Sequence, residues 1–186
     1  MVAHQVAFAI DVGYSKLYAS SVLSLFGIMF ALGSLAAIIS DRIGRELTFS
    51  IGIFAAISGM LVLMRIHDTS HPWMLYYYAI SMGGGLGMVA PNISASVTDI
   101  FQGPRVGSII GMVWFSFAIG GTIGPWLGGW IFEMTGNYLP AFILSMALLA
   151  LSCMAIWLAA PRKVRLVPGR VNKKGKNKKE MKTAVV

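Results

Sequence analysis

SDRIGRE, residues 40–46, interrupts an oily chain: residues 17–40 before it and 47–64 after it, apart from this stretch, contain no Asp, Glu, Lys or Arg. Within it, Asp41, Arg42, Arg45 and Glu46 crowd around Gly44. The same segregation holds further on, where 69–98, 106–132 and 134–161 are also free of charge. About 20 apolar residues cross the roughly 30 Å hydrocarbon layer as a helix, and each run is near or above that length. A charge at mid-bilayer costs about 2.5–3.5 kcal/mol on insertion scales, which explains why the charges sit between the runs. Of the 186 residues, 56% are hydrophobic and 12% charged, and the mean hydropathy is +0.73. That is the balance of a polytopic membrane protein rather than of a soluble domain.

The runs predict five complete transmembrane helices, over 19–39, 47–64, 73–97, 107–132 and 139–160. Residues 1–10, MVAHQVAFAI, are apolar but only half a span long. They lack the basic start and small-residue cleavage site of a signal peptide, so they are expected to be the far end of a partial helix. Basic residues set the orientation. Arg42, Arg45, Arg105 and ten in the tail beyond residue 161 make 13 of the 15 on one side, leaving Lys16 and Arg65 on the other. The positive-inside rule then places SDRIGRE, the 98–106 loop and the C-terminus in the cytoplasm, with the chain in the plasma (inner) membrane. Two regions are expected: a transmembrane unit over 1–160 and a basic, disordered tail over 161–186. The tail carries most of the formal net charge of +8. It abuts a membrane helix and lacks interleaved aromatics, so anionic lipid is the expected partner, not nucleic acid. Cys153 is the single cysteine, which rules out an internal disulfide.

Some helix faces carry small or polar residues. Ser20, Ser24, Gly27, Ala31 and Ser34 share a face at helical spacing, as do Tyr78, Ser81, Gly85, Asn92 and Ser96. Gly120, Gly124 and Gly128 recur every fourth residue. Small faces let helices approach closely in lipid, so packing is one reading of each. For the Tyr78–Ser96 face, pore lining is the other. Pro91 cannot bond the carbonyl of Gly87, and free backbone in a membrane is tolerated against protein or a water-filled cavity. Candidates for a substrate cavity are therefore His4, Tyr78, Ser81, Asn92 and Trp114. His4 is either a proton relay or a packed histidine near the outer rim.

Enzyme chemistry finds no foothold. GLGMVA, residues 85–90, fits a loose dinucleotide pattern but falls mid-helix, not between a strand and a helix. His4, His67 and His71 have no metal-ligand spacing. No cofactor or metal is implied.

Three motifs carry a family resemblance. Asp41-Arg42-Ile43-Gly44-Arg45 resembles the D-R-x-G-R signature of the major facilitator superfamily, found between its second and third helices and echoed between its eighth and ninth. Ala37 stands where a glycine usually precedes that aspartate. Gly120-x-x-x-Gly124-Pro125-x-x-Gly128-Gly129 resembles the glycine–proline pattern of the family's fifth helix, whose repeat partner is the eleventh. His4 with Asp11-Val12-Gly13-Tyr14-Ser15, and Asp99-Ile100-Phe101 with Arg105-Val106-Gly107-Ser108 and Gly111, resemble the seventh-helix end and the ten–eleven loop of the monocarboxylate and oxalate–formate porters.

The resemblance implies an all-α membrane fold: helices eight to twelve of a twelve-helix transporter, preceded by part of helix seven. Such transporters join two six-helix halves with the substrate at their interface, so half of the site would lie outside this chain. It implies transport of a small solute, with an organic anion as one candidate, by alternating access, with a missing N-terminal half or a second copy as partner. The chain alone would be inactive. Asp41, Arg42, Gly44 and Arg45 would form a cytoplasmic latch, with Asp41 drawn to helix ends of the other half. Gly120, Gly124, Pro125, Gly128 and Gly129 would serve helix packing. Related carboxylate porters commonly place an arginine in helix eight or a lysine in helix eleven, and neither occurs in 17–40 or 106–132. The alternative is a membrane scaffold or partner subunit derived from a transporter half that moves no solute.

Overall fold

The computed structural model describes residues 5–66, 68–101 and 103–159. His4, His67 and the tail 161–186 lie outside the described residues, within which all regular structure is helical. In order these are α1 (Gln5–Asp11), α2 (Lys16–Ala36), α3 (Ser40–Ile43), α4 (Arg45–Leu63), α5 (Trp73–Ile100), α6 (Val106–Thr135) and α7 (Leu139–Ala159). A 3-10 turn, Ala37–Ile39, joins α2 to α3, so that the first long rod runs without a break from Lys16 to Ile43. It is longer than the predicted 19–39 because its last turn carries Asp41 and Arg42 beyond the apolar stretch.

Four rods are long and apolar enough to cross a membrane: Lys16–Ile43, Arg45–Leu63, Val106–Thr135 and Leu139–Ala159. The 28-residue α5 was expected to be a fifth, yet Tyr76, Tyr77, Tyr78, Pro91, Asn92 and its glycines dilute its apolarity. The reason is its position. It lies between α2 and α4, where Leu75, Tyr78, Ala79, Met82, Asn92 and Val97 are buried, so much of its surface meets protein and not lipid.

Glycines bring those backbones together. A Cβ on Gly83 would lie 2.6 Å from the Phe26 carbonyl oxygen of α2, and one on Gly52 of α4 would lie 2.6 Å from the Gly85 oxygen of α5. Gly87 faces Phe30 and Gly33 faces Gly84 in the same way. With no hydrophobic effect between helices in lipid, such close packing is what holds them. Pro91 leaves the Gly87 carbonyl without its helical donor, and Ser34 Oγ of α2 donates to that oxygen at 3.1 Å. The freed carbonyl thus ties two helices and implies no cavity.

The core gathers toward one end of the bundle, where Ala9, Val22, Phe26, Met60, Leu63, Leu75, Tyr78, Met82 and Phe142 are buried together. The α1–α2 turn, the 64–72 loop and the α6–α7 turn meet at that end. Tyr14 Oη donates to the Asp68 carbonyl at 3.4 Å, and Tyr138 Oη to Asp11 Oδ2 at 3.5 Å. Burial first, and Asp68 second, raise the Tyr14 pKa; burial and then Asp11 raise that of Tyr138, so both remain donors. At α7, Trp157 Nε1 donates to Ser50 Oγ of α4 at 2.9 Å, and Cys153 Sγ lies 3.3 Å from the same oxygen. The outlying element is α6, none of whose residues is buried.

Candidate functional site

Opposite the aromatic end, SDRIGRE builds a charged knot. Gly44 has φ +108° and ψ 151°, a backbone setting that side chains with a Cβ rarely adopt, and it divides α3 from α4. The sharp turn leaves Arg45 at the start of α4 facing back over α3. Its Nη2 pairs with Asp41 Oδ1 at 2.8 Å, its Nε with Asp99 Oδ2 of α5 at 2.9 Å, and its Nη1 donates to Ser40 Oγ. The side chains of Arg45 and Asp99 are 11% and 17% exposed, against 54% for Asp41. The guanidinium fork therefore fastens α5 firmly and α3 loosely, since a water-screened pair contributes little. Asn92 Nδ2 adds a bond to the Arg45 carbonyl at 2.7 Å.

This geometry changes two expectations about the latch. Asp41 pairs inside the chain, and Arg42 is exposed with no ion pair among the described residues. Asp99, a member of the third sequence motif, is the long-range partner of Arg45. Its signal was the lone carboxylate ending a run, 69–98, that has no charge.

The proposed cavity face is also relocated. Tyr78 and Asn92 are buried, Ser81 Oγ sits against Gly59 of α4, and Gly85 meets Gly52. Among these residues the stripe is the seam between α5 and α4, not an open wall. Its hydroxyls turn back on their own helix: Ser81 Oγ donates to the Tyr77 carbonyl at 2.7 Å and Ser96 Oγ to that of Asn92 at 2.8 Å. His4 lies outside the described residues. Gly120, Gly121, Gly124 and Gly129 on α6 have no described atom of another element within 4 Å of an added Cβ. In this chain, the close-packing glycines are those of α2, α4 and α5 instead.

Trp114 has a different setting from the rest. It walls a cleft of about 120 Å³ between three helices, with Phe30 from α2, Leu86, Val89, Ala90 and Ile93 from α5, and Val113 and Phe117 from α6. Its Nε1 donates to Ser94 Oγ on α5 at 3.3 Å, and its ring meets Phe117 edge-on at 5.5 Å. Among the described residues, no cation, carboxylate or amide lines the cleft. It is shaped to take hydrocarbon.

Helices that show Leu, Phe and Trp on their outer faces and keep their ion pairs at one end are made for a bilayer. They define an integral, multi-pass membrane protein. The chain belongs to the Major Facilitator Superfamily, whose family model matches residues 1–185. It is similar to an uncharacterized MFS-type transporter, YcxA, of Bacillus subtilis (strain 168), with 28% identity over 141 residues, 74% of this chain and 34% of that one. Monocarboxylate transporter 12-B of Danio rerio is 24% identical over 147 residues, covering 75% of this chain and 30% of its own length. Monocarboxylate transporter 13 of Rattus norvegicus is 25% identical over 148 residues, covering 78% and 34%. The chain spans about a third of the length of the curated relatives it matches. These relatives place it among transporters and not enzymes.

Proposed function

We propose that this chain is the C-terminal portion of a secondary transporter that moves a small organic solute by alternating access. In this reading α1 is part of helix seven, and the rods from α2 onward, with α5 counted as a span, are helices eight to twelve. The SDRIGRE end and the basic tail face the cytoplasm of the plasma membrane, the tail lying against anionic lipid. The observation that carries the reading is α6. It is a 30-residue helix with a stripe at Gly120, Gly124 and Gly128 suited to close packing, yet none of its residues is buried. A second six-helix half laid on α2, α5 and α6 supplies the missing neighbour and encloses the Trp114 cleft. The pathway then runs between the halves, where transporters of this architecture hold their substrate.

The Arg45 knot gives the cytoplasmic end a releasable fastening. Asp41 is exposed enough to exchange Arg45 for a partner on the other half, while Asp99 holds the guanidinium in place. The relatives named as monocarboxylate transporters favour an organic acid as the solute. The cleft itself supplies no cation among the described residues, so a carboxylate would be met elsewhere in the assembled transporter.

Vesicles holding only this chain are expected to take up labelled organic acids no faster than empty vesicles. Joining it to the first six helices and the inner part of the seventh from the Danio rerio relative, in place of the rest of that protein, is expected to restore saturable uptake. Uptake by the isolated chain would overturn the half-transporter reading in favour of a complete homodimer. Chimeras that reach the membrane and carry nothing would favour a non-transporting scaffold.

A further inference from the structure

We infer that the cleft between α2, α5 and α6 is a subsite for a phenyl-sized or branched apolar group, and that the solute is an amphipathic organic acid, not a two- or three-carbon one. The inference rests on the transporter reading above and adds to it the kind of molecule carried.

Size is the first argument. The cleft measures about 120 Å³. An apolar cavity of roughly 150 Å³ lined by similar side chains stays dry and takes up benzene, so this cleft matches one ring or a short branched chain. Lining is the second. Phe30, Leu86, Val89, Ala90, Trp114 and Phe117 offer hydrocarbon and aromatic faces. The indole N–H of Trp114, the polar group in that wall, is already turned to Ser94 on α5. A hydroxyl or carboxylate pushed into the cleft would lose its water and gain no partner there. A small acid thus gains nothing from the cleft, whereas a ring gains its whole buried surface.

The walls are also held in shape. Trp114 and Phe117 meet edge to face, which fixes both rings on α6, and Phe26 stacks at 6.4 Å on Phe30 behind the α2 wall. Ala90 is the smallest residue of the lining, so a larger side chain there occupies space a ring would take.

The test is fluorine NMR on the full chain in detergent, with 4-fluorophenylacetate and fluoroacetate as probes and 4-fluorobenzyl alcohol as the uncharged ring. The ring-bearing acid is expected to bind saturably and about ten- to a hundredfold more tightly than fluoroacetate, the factor for burying one ring. Ala90→Phe and, independently, Val113→Phe are expected to abolish that binding while leaving the elution profile of the folded protein unchanged. Equal affinity for fluoroacetate would overturn the inference, as would no binding of either ring. A ring signal that survives both filling substitutions in folded protein would mean partition into the micelle, and would also overturn it. Equal competition by straight-chain decyl phosphate would identify a groove for lipid tails and overturn it too. Because binding is read without transport, a chain that binds rings but never carries them would refute only the transporter reading.

Discussion

Replacing Gly52 by alanine tests the claim that α5 is clamped at backbone contact from both sides. The new Cβ would stand 2.6 Å from the Gly85 oxygen and 3.3 Å from Val89 Cγ2. Ordinary contact begins near 3.4 Å, so α5 would have to retreat by about 0.8 Å. It cannot do so freely, because Gly83 on its far side already rests on the Phe26 carbonyl of α2. Overpacking of this kind costs about 1–3 kcal/mol, against an intrinsic gain of about 0.8–1 kcal/mol for alanine over glycine in a helix. A net loss of up to about 2 kcal/mol is expected for Gly52→Ala, and similarly for Gly83→Ala. The double variant should lose more than the two combined, since each removes the other's room to relax. Gly124→Ala, in open space on α6, should be neutral or slightly stabilising in the isolated chain. The assay is thermal unfolding in detergent, where about 1 kcal/mol corresponds to roughly 2–4 °C for a chain of this size. If Gly52→Ala melts at or above the parent, or Gly124→Ala loses as much as Gly52→Ala, the clamp does not exist.

Further outcomes follow from the charged end. Arg45→Ala removes the cation shared by Asp99 and Asp41 and should cost more than Asp41→Asn, which breaks only the half-exposed pair and should cost under about 1 kcal/mol; equal melting points for the two would refute this ranking. In the intact transporter, Asp41→Asn should lower turnover with little change in apparent affinity, measured as initial rates of uptake, and a parental rate would leave the latch without support. In a Cys153→Ser background, cysteines at Ser70 and Asn137 should react with an impermeant thiol reagent added to whole cells and cysteines at Arg42 and Pro104 should not; the reverse labelling pattern would invert the topology.

Much of the architecture could be read from where charges are absent. The 17–40, 47–64, 106–132 and 134–161 runs each mark the body of one of the four apolar rods, because exclusion of charge from hydrocarbon acts on each helix separately. Helix neighbours were harder to read. Glycines recur on α6 and on α5, yet among the described residues Gly83, Gly85 and Gly87 of α5 meet another backbone and Gly120 and Gly124 of α6 do not, since spacing shows a face and not what lies against it. Pro91 showed a carbonyl without its donor but left its environment open between protein and cavity, because Ser34, which meets the Gly87 carbonyl, stands 53 positions earlier in the chain. Arg45 was legible as a member of a charge cluster. Its second pairing, with Asp99 beside the local Asp41, depends on α5 returning to the same end, which no local pattern encodes. The cleft was foreshadowed by Trp114 alone, for its other walls are ordinary apolar residues.

The dilute apolarity of α5 has a consequence for biogenesis. During synthesis each segment is tested for entry into the bilayer as it leaves the ribosome, and a helix with three tyrosines, Pro91 and Asn92 in it is a poor candidate by itself. Its Asn92 and Gly85 find their matches on α4, and its Gly83 and Gly87 on α2, both of which emerge earlier. Insertion of α5 is therefore a templated event, with the two preceding rods acting as an intramolecular chaperone. Fused by itself to a glycosylation reporter, α5 should insert poorly, and with α2 through α4 ahead of it, well.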